Sequence, residues 1–466
     1  MLSEDIFYLP VTDLSARIRR GNLSPVELTE AYLERLERLG PRLGAVATIT
    51  RELGLEQARQ AEKELSAGRY RGPLHGIPCG VKDLLATRAI KTTWGAPPYK
   101  DQVFDYDATV IRKLREAGAV LIAKLAMIEL AGGGGYSNGK ASVTGPALNP
   151  WDRSRWAGGS SSGPGAATAA ALVGFSMGSE TWGSILTPSS FCGLSGLRPT
   201  YGRVSRAGAM ALSWTMDKLG PMCRSADDCG LVLEAIAGFD RHDPGSARAP
   251  FTHRPGDGSL RGVRVGWIRE DFKKSAQPEV EPIYRDALDV LRRLGATVRE
   301  VKLPEFPYGP VAGMIIRAEG AAAFDTLIRS GRVNELVDKQ QAEGLSGGLE
   351  VSAADFIRAM RIRRVIQQAL AELYTEVDIL VAPSLLFVAN PIEQNLNEVF
   401  RGSAGLGAAG NLAGLPGLSV PMGFGKDNLP LGLAIVGKPF GESTVLRVGS
   451  AYQQSTDWHI RRPPLT

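Results

Sequence analysis

The chain is poor in the residues that most often carry catalysis or cross-linking. Histidine occurs four times in 466 residues, as His75, His242, His253 and His459, so a histidine base or metal ligand is not readily available. Cysteine is equally sparse, and Cys79, Cys192, Cys223 and Cys229 show no C-x-x-C spacing. That disfavours both a zinc site and a disulfide framework and fits a reduced, cytoplasmic setting. No apolar run approaches the roughly 18 residues that span a bilayer, so no membrane partner is expected. The start, "MLSEDIFYLPVTD", is acidic and lacks a basic region followed by an apolar one, so no secretory signal is expected. The net charge is only +5. The densest basic patch, "RIRR" at 361–364, sits inside the helical pattern "DFIRAMRIRRVIQQALAELY", where a solvated face accounts for it. Nucleic acid is therefore not an expected partner.

What is present describes a folded α/β protein. Hydrophobic residues make up 44% and charged residues 22%, too apolar for a disordered chain. Residues 1–70 read as a helical segment packed on the core: in "NLSPVELTEAYLERLERLG", Ser24 is placed as N-cap, Pro25 at the first helical position and Glu27 three residues on, the pattern of a capping box. From 71 to 466 short apolar runs such as "AVLIAKL" at 119–125 and "DILVAPS" at 378–384 alternate with helical stretches. This predicts one continuous α/β core around a buried sheet. The breaker-rich stretch 238–262 reads as a loop, followed by a strand in "VRVGWI" and a helix near 280–294.

Three constellations carry possible chemistry. Gly159-Ser160-Ser161-Ser162-Gly163 satisfies G-x-S-x-G, with His459 downstream, as a nucleophile elbow would have it. An elbow needs a buried strand before it, whereas "PWDRSRWA" is polar, and a helix at once after it, whereas Pro164 and Gly165 follow. "GGYSNGK" at 134–140 has the outline of a phosphate-binding loop, but Ala141 stands where a Ser or Thr must hold magnesium and a loop follows where a helix should start. The third is the stretch 158–200, "GGSSSGPGAATAAALVGFSMGSETWGSILTPSSFCGLSGLRPT". Its density of Ser, Thr and Gly around one short Ala-rich helix can aim several backbone N–H groups at one point, as an oxyanion hole requires.

This third stretch resembles the amidase signature family, whose pattern runs Gly-Gly-Ser-Ser-Gly-Gly-Ser, Gly-Ser-Asp-Thr-Gly-Gly-Ser-Ile, Phe-Cys-Gly and Gly-Leu-Lys-Pro-Thr. In register, Ser160 falls on the family's bridging serine and Ser184, 24 residues later, on its nucleophile, while "LHGIPCGVKDLL" places Lys82 on its lysine. "NPWD" at 149–152, "TYGRVSR" at 200–206, "NLAGLPGLSVP" at 411–421 and "STDWHIRRP" at 455–463 extend the resemblance over about residues 10–463. It implies a large mixed, twisted β-sheet covered by helices on both faces. It also implies a Ser-Ser-Lys triad of Lys82, Ser160 and Ser184, with backbone N–H groups of Thr181, Trp182, Gly183 and Ser184 as the oxyanion hole. No metal or organic cofactor is implied. A buried lysine can be neutral and act as a base, and Lys82 lies in an unusually apolar setting. The family's bridging serine follows a cis peptide bond, here Gly159-Ser160, with Gly159 and Gly163 giving it room. Gly132, Gly133 and Trp182 are the expected substrate-binding residues, and residues 305–350, which match no family motif, are expected to cap the pocket.

The sequence departs from the pattern at three places. Trp182 stands where the family has glycine, Glu180 where Asp is frequent, and Leu186 where Arg is frequent, which suggests that a charged pair behind the oxyanion loop is lost. In one branch, the amidase component of glutamine-dependent tRNA amidotransferases, an acidic residue precedes the Asn of "NLAGLP" by seven positions; here it is Ala404. The expectation is therefore a stand-alone hydrolase, monomer or homodimer, that cleaves C–N bonds of small amides. Aryl amides, carbamates (urethanes) and esters are included, and the amidotransferase component is the alternative.

Overall fold

The computed structural model describes residues 2–269, 276–400 and 405–465. In chain order its strands are β1 Val46–Ile49, β2 Pro78–Lys82, β3 Val120–Leu125, β4 Leu148–Asn149, β5 Asp152–Trp156, β6 Phe175–Glu180 and β7 Ser195–Arg198. They continue with β8 Lys218–Cys223, β9 Arg264–Ile268, β10 Thr297–Val301, β11 Ile379–Pro383, β12 Gly417–Phe424 and β13 Pro430–Gly437. Eleven of them form one sheet in the order β1-β3-β2-β6-β8-β7-β12-β13-β11-β9-β10, and β4 and β5 form a separate hairpin. The sheet is mixed: β3, β2 and β6 run parallel, as do β11, β9 and β10, while the strands between pair antiparallel. Strands β2, β3, β6, β8, β11 and β13 are buried at every residue. A sheet covered on both faces has no polar side, which is why β11 and β13 read as continuous apolar runs.

The N-terminal stretch contains the helices Val11–Arg19, Pro25–Leu43 and Arg51–Ser66. Ser24 Oγ accepts from the N–H groups of Val26 and Glu27, each at 3.1 Å. Between two of these helices the chain makes β1, which pairs antiparallel with β3 at the sheet edge; four residues carry too little periodicity to announce a strand. The stretch 238–262 has no helix or strand. Strand β9, which follows it, belongs to the same eleven-stranded sheet.

A second difference bears on the site. The expected Ala-rich helix is Ser162–Ala169 and starts directly after Ser161, although Pro164 and Gly165 argued against so early a start. A proline in the first helical turn displaces no intrahelical bond, because those N–H groups have no partner within the helix. Small residues are needed here: a side chain at Gly163 would lie 2.4 Å from the backbone nitrogen of Ala126.

Candidate active site

Parallel neighbours present their C-terminal ends at the same sheet edge, where α/β proteins commonly bind ligands. Lys82 is the last residue of β2, and Ser179 and Glu180 close the adjacent β6. Asp83, the next residue after Lys82, fixes that strand end. It pairs with Lys124 of β3 at 3.2 Å with both side chains fully buried, and accepts from the N–H of Thr93 at 2.9 Å.

The Lys82 side chain is itself fully buried, and its Nζ donates to Ser160 Oγ at 2.7 Å and to Ser179 Oγ at 2.9 Å. Burial pushes its pKa down to about 7, against the opposing pull of the Asp217 and Glu180 charges. Near neutral pH the amine is thus divided between a form that can take a proton and one that can give it back. Ser160 follows a cis peptide bond from Gly159. A side chain at Gly159 would meet the Trp156 indole at 2.6 Å, so close packing against that ring demands glycine.

Ser184 lies on the turn between β6 and the helix Leu186–Cys192, 8% exposed. Among the described residues no hydrogen bond joins its hydroxyl to Ser160; catalytic bonds are often open in the absence of substrate. The N–H groups of Trp182, Gly183 and Ser184 donate no bond within the described residues, whereas those of Ile185 and Leu186 are taken by Glu180 Oε2 at 2.8 and 3.0 Å. The left-handed backbone is at Gly183, φ +85°, and not at Trp182. A tryptophan at 182 is therefore accommodated without strain.

The charged pair thought lost is rebuilt from another strand. Arg198 of β7, in "GLRPT", donates to Glu180 Oε1 at 2.9 Å with both side chains fully buried, and Asn411 Nδ2 adds a bond at 3.0 Å. Burial would raise the Glu180 pKa, but Arg198 and Lys218 outweigh it and hold it down to about 2. Glu180 is thus a carboxylate that pins the two residues after Ser184. Its interaction with Arg198 spans two unpaired strands and carries no local sequence signal.

A cleft of about 450 Å³ opens beside the loop, lined among others by Tyr136, Gly159, Trp182, Gly183, Leu385, Phe400 and Leu406. Trp182 is 39% exposed, so its indole forms a wall of the cleft. Gly135 and Tyr136 line it from the glycine-rich loop, while Gly132 and Gly133 stand behind, against the Tyr136 ring and Leu212. Segment 305–350 packs behind the walls, Gly309 beside Trp182 and Gln341 and Leu345 against Gly134, but contributes none of the lining. Ala404 lies outside the described residues. On the other side of the relay, Ser179, Thr181 and Asp217 border a second cavity of about 510 Å³.

The elbow reading finds no support. The Ser161 hydroxyl is fully buried and bonded to the Ser179 backbone, donating to its carbonyl at 3.1 Å and accepting from its N–H at 3.3 Å. His459 lies in a cleft with Tyr8, Trp151 and Arg224 that holds neither Ser161 nor Ser184. The stretch 134–140 forms turns, and no helix follows it. Among the described residues no group of three His, Cys, Asp or Glu side chains is placed to hold a metal, and no helix is long and apolar enough to cross a membrane. Ser179 is the residue that sequence reasoning passed over. It stands beside Glu180 in the quoted motif, but only the pairing of β2 with β6 brings it to Lys82.

A buried amine on one serine, a second serine on the adjoining turn and unengaged backbone donors beside it can together perform acyl transfer from nitrogen without histidine, as a serine hydrolase does. Residues 27–446 match the family model described as Amidase, and the chain belongs to that family, hydrolases of carbon–nitrogen bonds. Over 97% of this chain and 98% of the relative it is 38% identical to the glutamyl-tRNA(Gln) amidotransferase A-subunit of Methylococcus capsulatus. Its fold matches the peptide amidase of Stenotrophomonas maltophilia with a TM-score of 0.86 at 33% identity, covering 98% of each chain. It also matches the glutamyl-tRNA(Gln) amidotransferase A-subunit of Thermotoga maritima with a TM-score of 0.83 at 27% identity, covering 100% of each.

These matches correct the expectation of a monomer or homodimer serving only a small molecule. The curated relatives that match end to end are named as one component of an amidotransferase that acts on a charged tRNA. The contrary inference rested on the single position Ala404, whereas the similarity runs through the whole chain.

Proposed function

We propose that the chain is the amide-hydrolysing component of a glutamine-dependent amidotransferase, with Ser184 as nucleophile. The observation that carries the chemistry is the fully buried Lys82 Nζ at 2.7 Å from Ser160 Oγ. Neutral Lys82 accepts a proton from Ser160 as Ser160 takes one from Ser184, and Ser184 Oγ attacks the carboxamide carbon. The N–H groups of Trp182, Gly183 and Ser184 receive the developing oxyanion, the main source of rate in such sites. The proton returns through Ser160 to the leaving nitrogen, ammonia departs, and water releases the acyl group by the same relay in reverse. The full-length match to amidotransferase A-subunits supports the assignment to a larger enzyme. In this reading the second cavity, which borders Ser179 and Thr181, receives the ammonia. The tRNA would then meet the partner subunits.

The cleft favours one further reading, hydrolysis of amides, carbamates or esters that carry an aromatic or apolar group, because Trp182, Tyr136, Leu385 and Phe400 line it. Ammonia release from L-glutamine, measured beside cleavage of a C-terminally amidated peptide, an anilide, a carbamate and an ester, separates the two. Turnover of glutamine is expected. Rapid cleavage of the anilide with glutamine untouched would exclude the amidotransferase role and leave the second reading.

A further inference from the structure

Thr181 opens the oxyanion turn, and its Oγ1 donates to Asp217 Oδ1 at 2.6 Å. The other oxygen of that carboxylate accepts from the N–H groups of Leu212 and Ser213 at 2.8 and 2.9 Å. The position of Thr181 therefore depends on how firmly the irregular loop 212–217 holds Asp217. Strand β8 begins only at Lys218, so the sheet does not hold this loop along its length.

Much of the hold comes from the helix Tyr308–Ala323. Glu319, on the helix Tyr308–Ala323, is 8% exposed, and one of its oxygens accepts from both the Ser213 hydroxyl and the N–H of Thr215, the latter at 3.2 Å. Arg363, from the helix Ala353–Glu376, completes the grip, donating to the Thr215 hydroxyl and carbonyl, each at 2.7 Å. At its other end the helix Tyr308–Ala323 comes close to the Trp182 indole, since a side chain at Gly309 would lie 3.7 Å from that ring. A carboxylate is costly to bury unless its hydrogen bonds are made. Both bonds Glu319 makes go to the loop that carries Asp217.

We propose that Glu319 is a positioning residue for the oxyanion turn, acting through Ser213, Asp217 and Thr181, so that the helix Tyr308–Ala323 helps to set the reactivity of Ser184. This rests on Ser184 being the nucleophile with the neighbouring N–H groups as oxyanion donors. The test uses a fluorophosphonate, which phosphonylates the nucleophilic serine and needs no knowledge of the natural substrate. Glu319→Leu is expected to lower the saturating rate of Ser184 labelling about tenfold, at an unchanged half-saturating probe concentration, the loss expected when an oxyanion donor is displaced rather than removed. Glu319→Gln, which keeps an acceptor, restores most of that rate, and Ser213→Ala reproduces the loss from the loop side. The double variant Glu319→Leu/Thr181→Val is no slower than the slower single variant, because both cut one linkage. Labelling of Glu319→Leu and Ser213→Ala at the wild-type rate, or losses that multiply in the double variant, would overturn the linkage while Ser184 stays labelled in the wild type. Labelling of another serine in the wild-type protein would overturn the nucleophile assignment and the linkage with it.

Discussion

Replacing Lys82 by methionine tests the buried base through two independent quantities. Its pKa falls from 10.5 in a solvated chain to about 7 in the fold. At about 1.4 kcal/mol per tenfold change in proton affinity, holding it there destabilises the native state at pH 7 by about 4 kcal/mol. Methionine removes that cost. It also removes one donor each from Ser160 and Ser179, at about 1 kcal/mol apiece, so Lys82→Met should be about 2 kcal/mol more stable at neutral pH. Between pH 7 and 10.5 the native amine is already neutral while the unfolded chain keeps it protonated. Unfolding takes up a proton in that window, and wild-type stability rises with pH. The advantage of the variant should therefore shrink above pH 7 and change sign near pH 9, by about 1.4 kcal/mol per pH unit. Urea unfolding at pH 6.5, 8 and 9.5 measures it. Amide turnover should fall by about a thousandfold at every pH, as expected on loss of a general base, while the wild-type rate rises through pH 7 as Lys82 deprotonates. A stability difference that stays flat with pH, or a variant that keeps its turnover, would show that Lys82 is not the buried neutral base.

Three other substitutions or modifications follow from the same geometry. Peptide mapping after fluorophosphonate treatment should find the label on Ser184 with Ser161 unmodified, because the Ser161 hydroxyl is buried and bonded to the Ser179 backbone; label on Ser161 would return the elbow reading. Arg198→Met removes the ion-pair partner of the buried Glu180 carboxylate and leaves it Asn411, the N–H groups of Ile185 and Leu186 and the Lys218 charge, at a cost of up to about 3 kcal/mol at pH 7. Because the native Glu180 is held to about 2, below its ordinary 4.5, its contribution to stability is present above pH 4.5 and fades as pH falls toward 2. The difference between variant and wild type in denaturant titrations should narrow over that range. Trp182→Gly should change the ratio of anilide to glutamine turnover by about two- to tenfold, the size of an aromatic contact of about 0.5 to 1.5 kcal/mol. An unchanged ratio together with a lower melting temperature would make the indole a packing element only.

Local chemistry was enough to make several features of this protein legible in its sequence. The family and the sheet-based fold follow from motifs and apolar runs whose meaning is contained within a few residues, as in "GSETWGS" and "AVLIAKL". The cap at Ser24 depends only on the next three residues, and the odd apolar flanks of Lys82 announced its burial. What the tertiary structure alone decided are the relations between distant segments. The edge strand β1 exists because β3 is there to pair with it. The helix after Ser161 packs against Ala126 only because residue 163 is a glycine. Arg198 answers Glu180 across the sheet although Leu186 had suggested an empty place. Ser179 reaches Lys82, and Tyr136 rather than Gly132 faces the cleft, through strand pairing and loop packing that no local pattern encodes. The physical reason is the range of the forces: dihedral preference, capping and amphipathic period act over one or two turns of chain. The desolvation of a charge and the partner that satisfies it depend on every segment folded around the site.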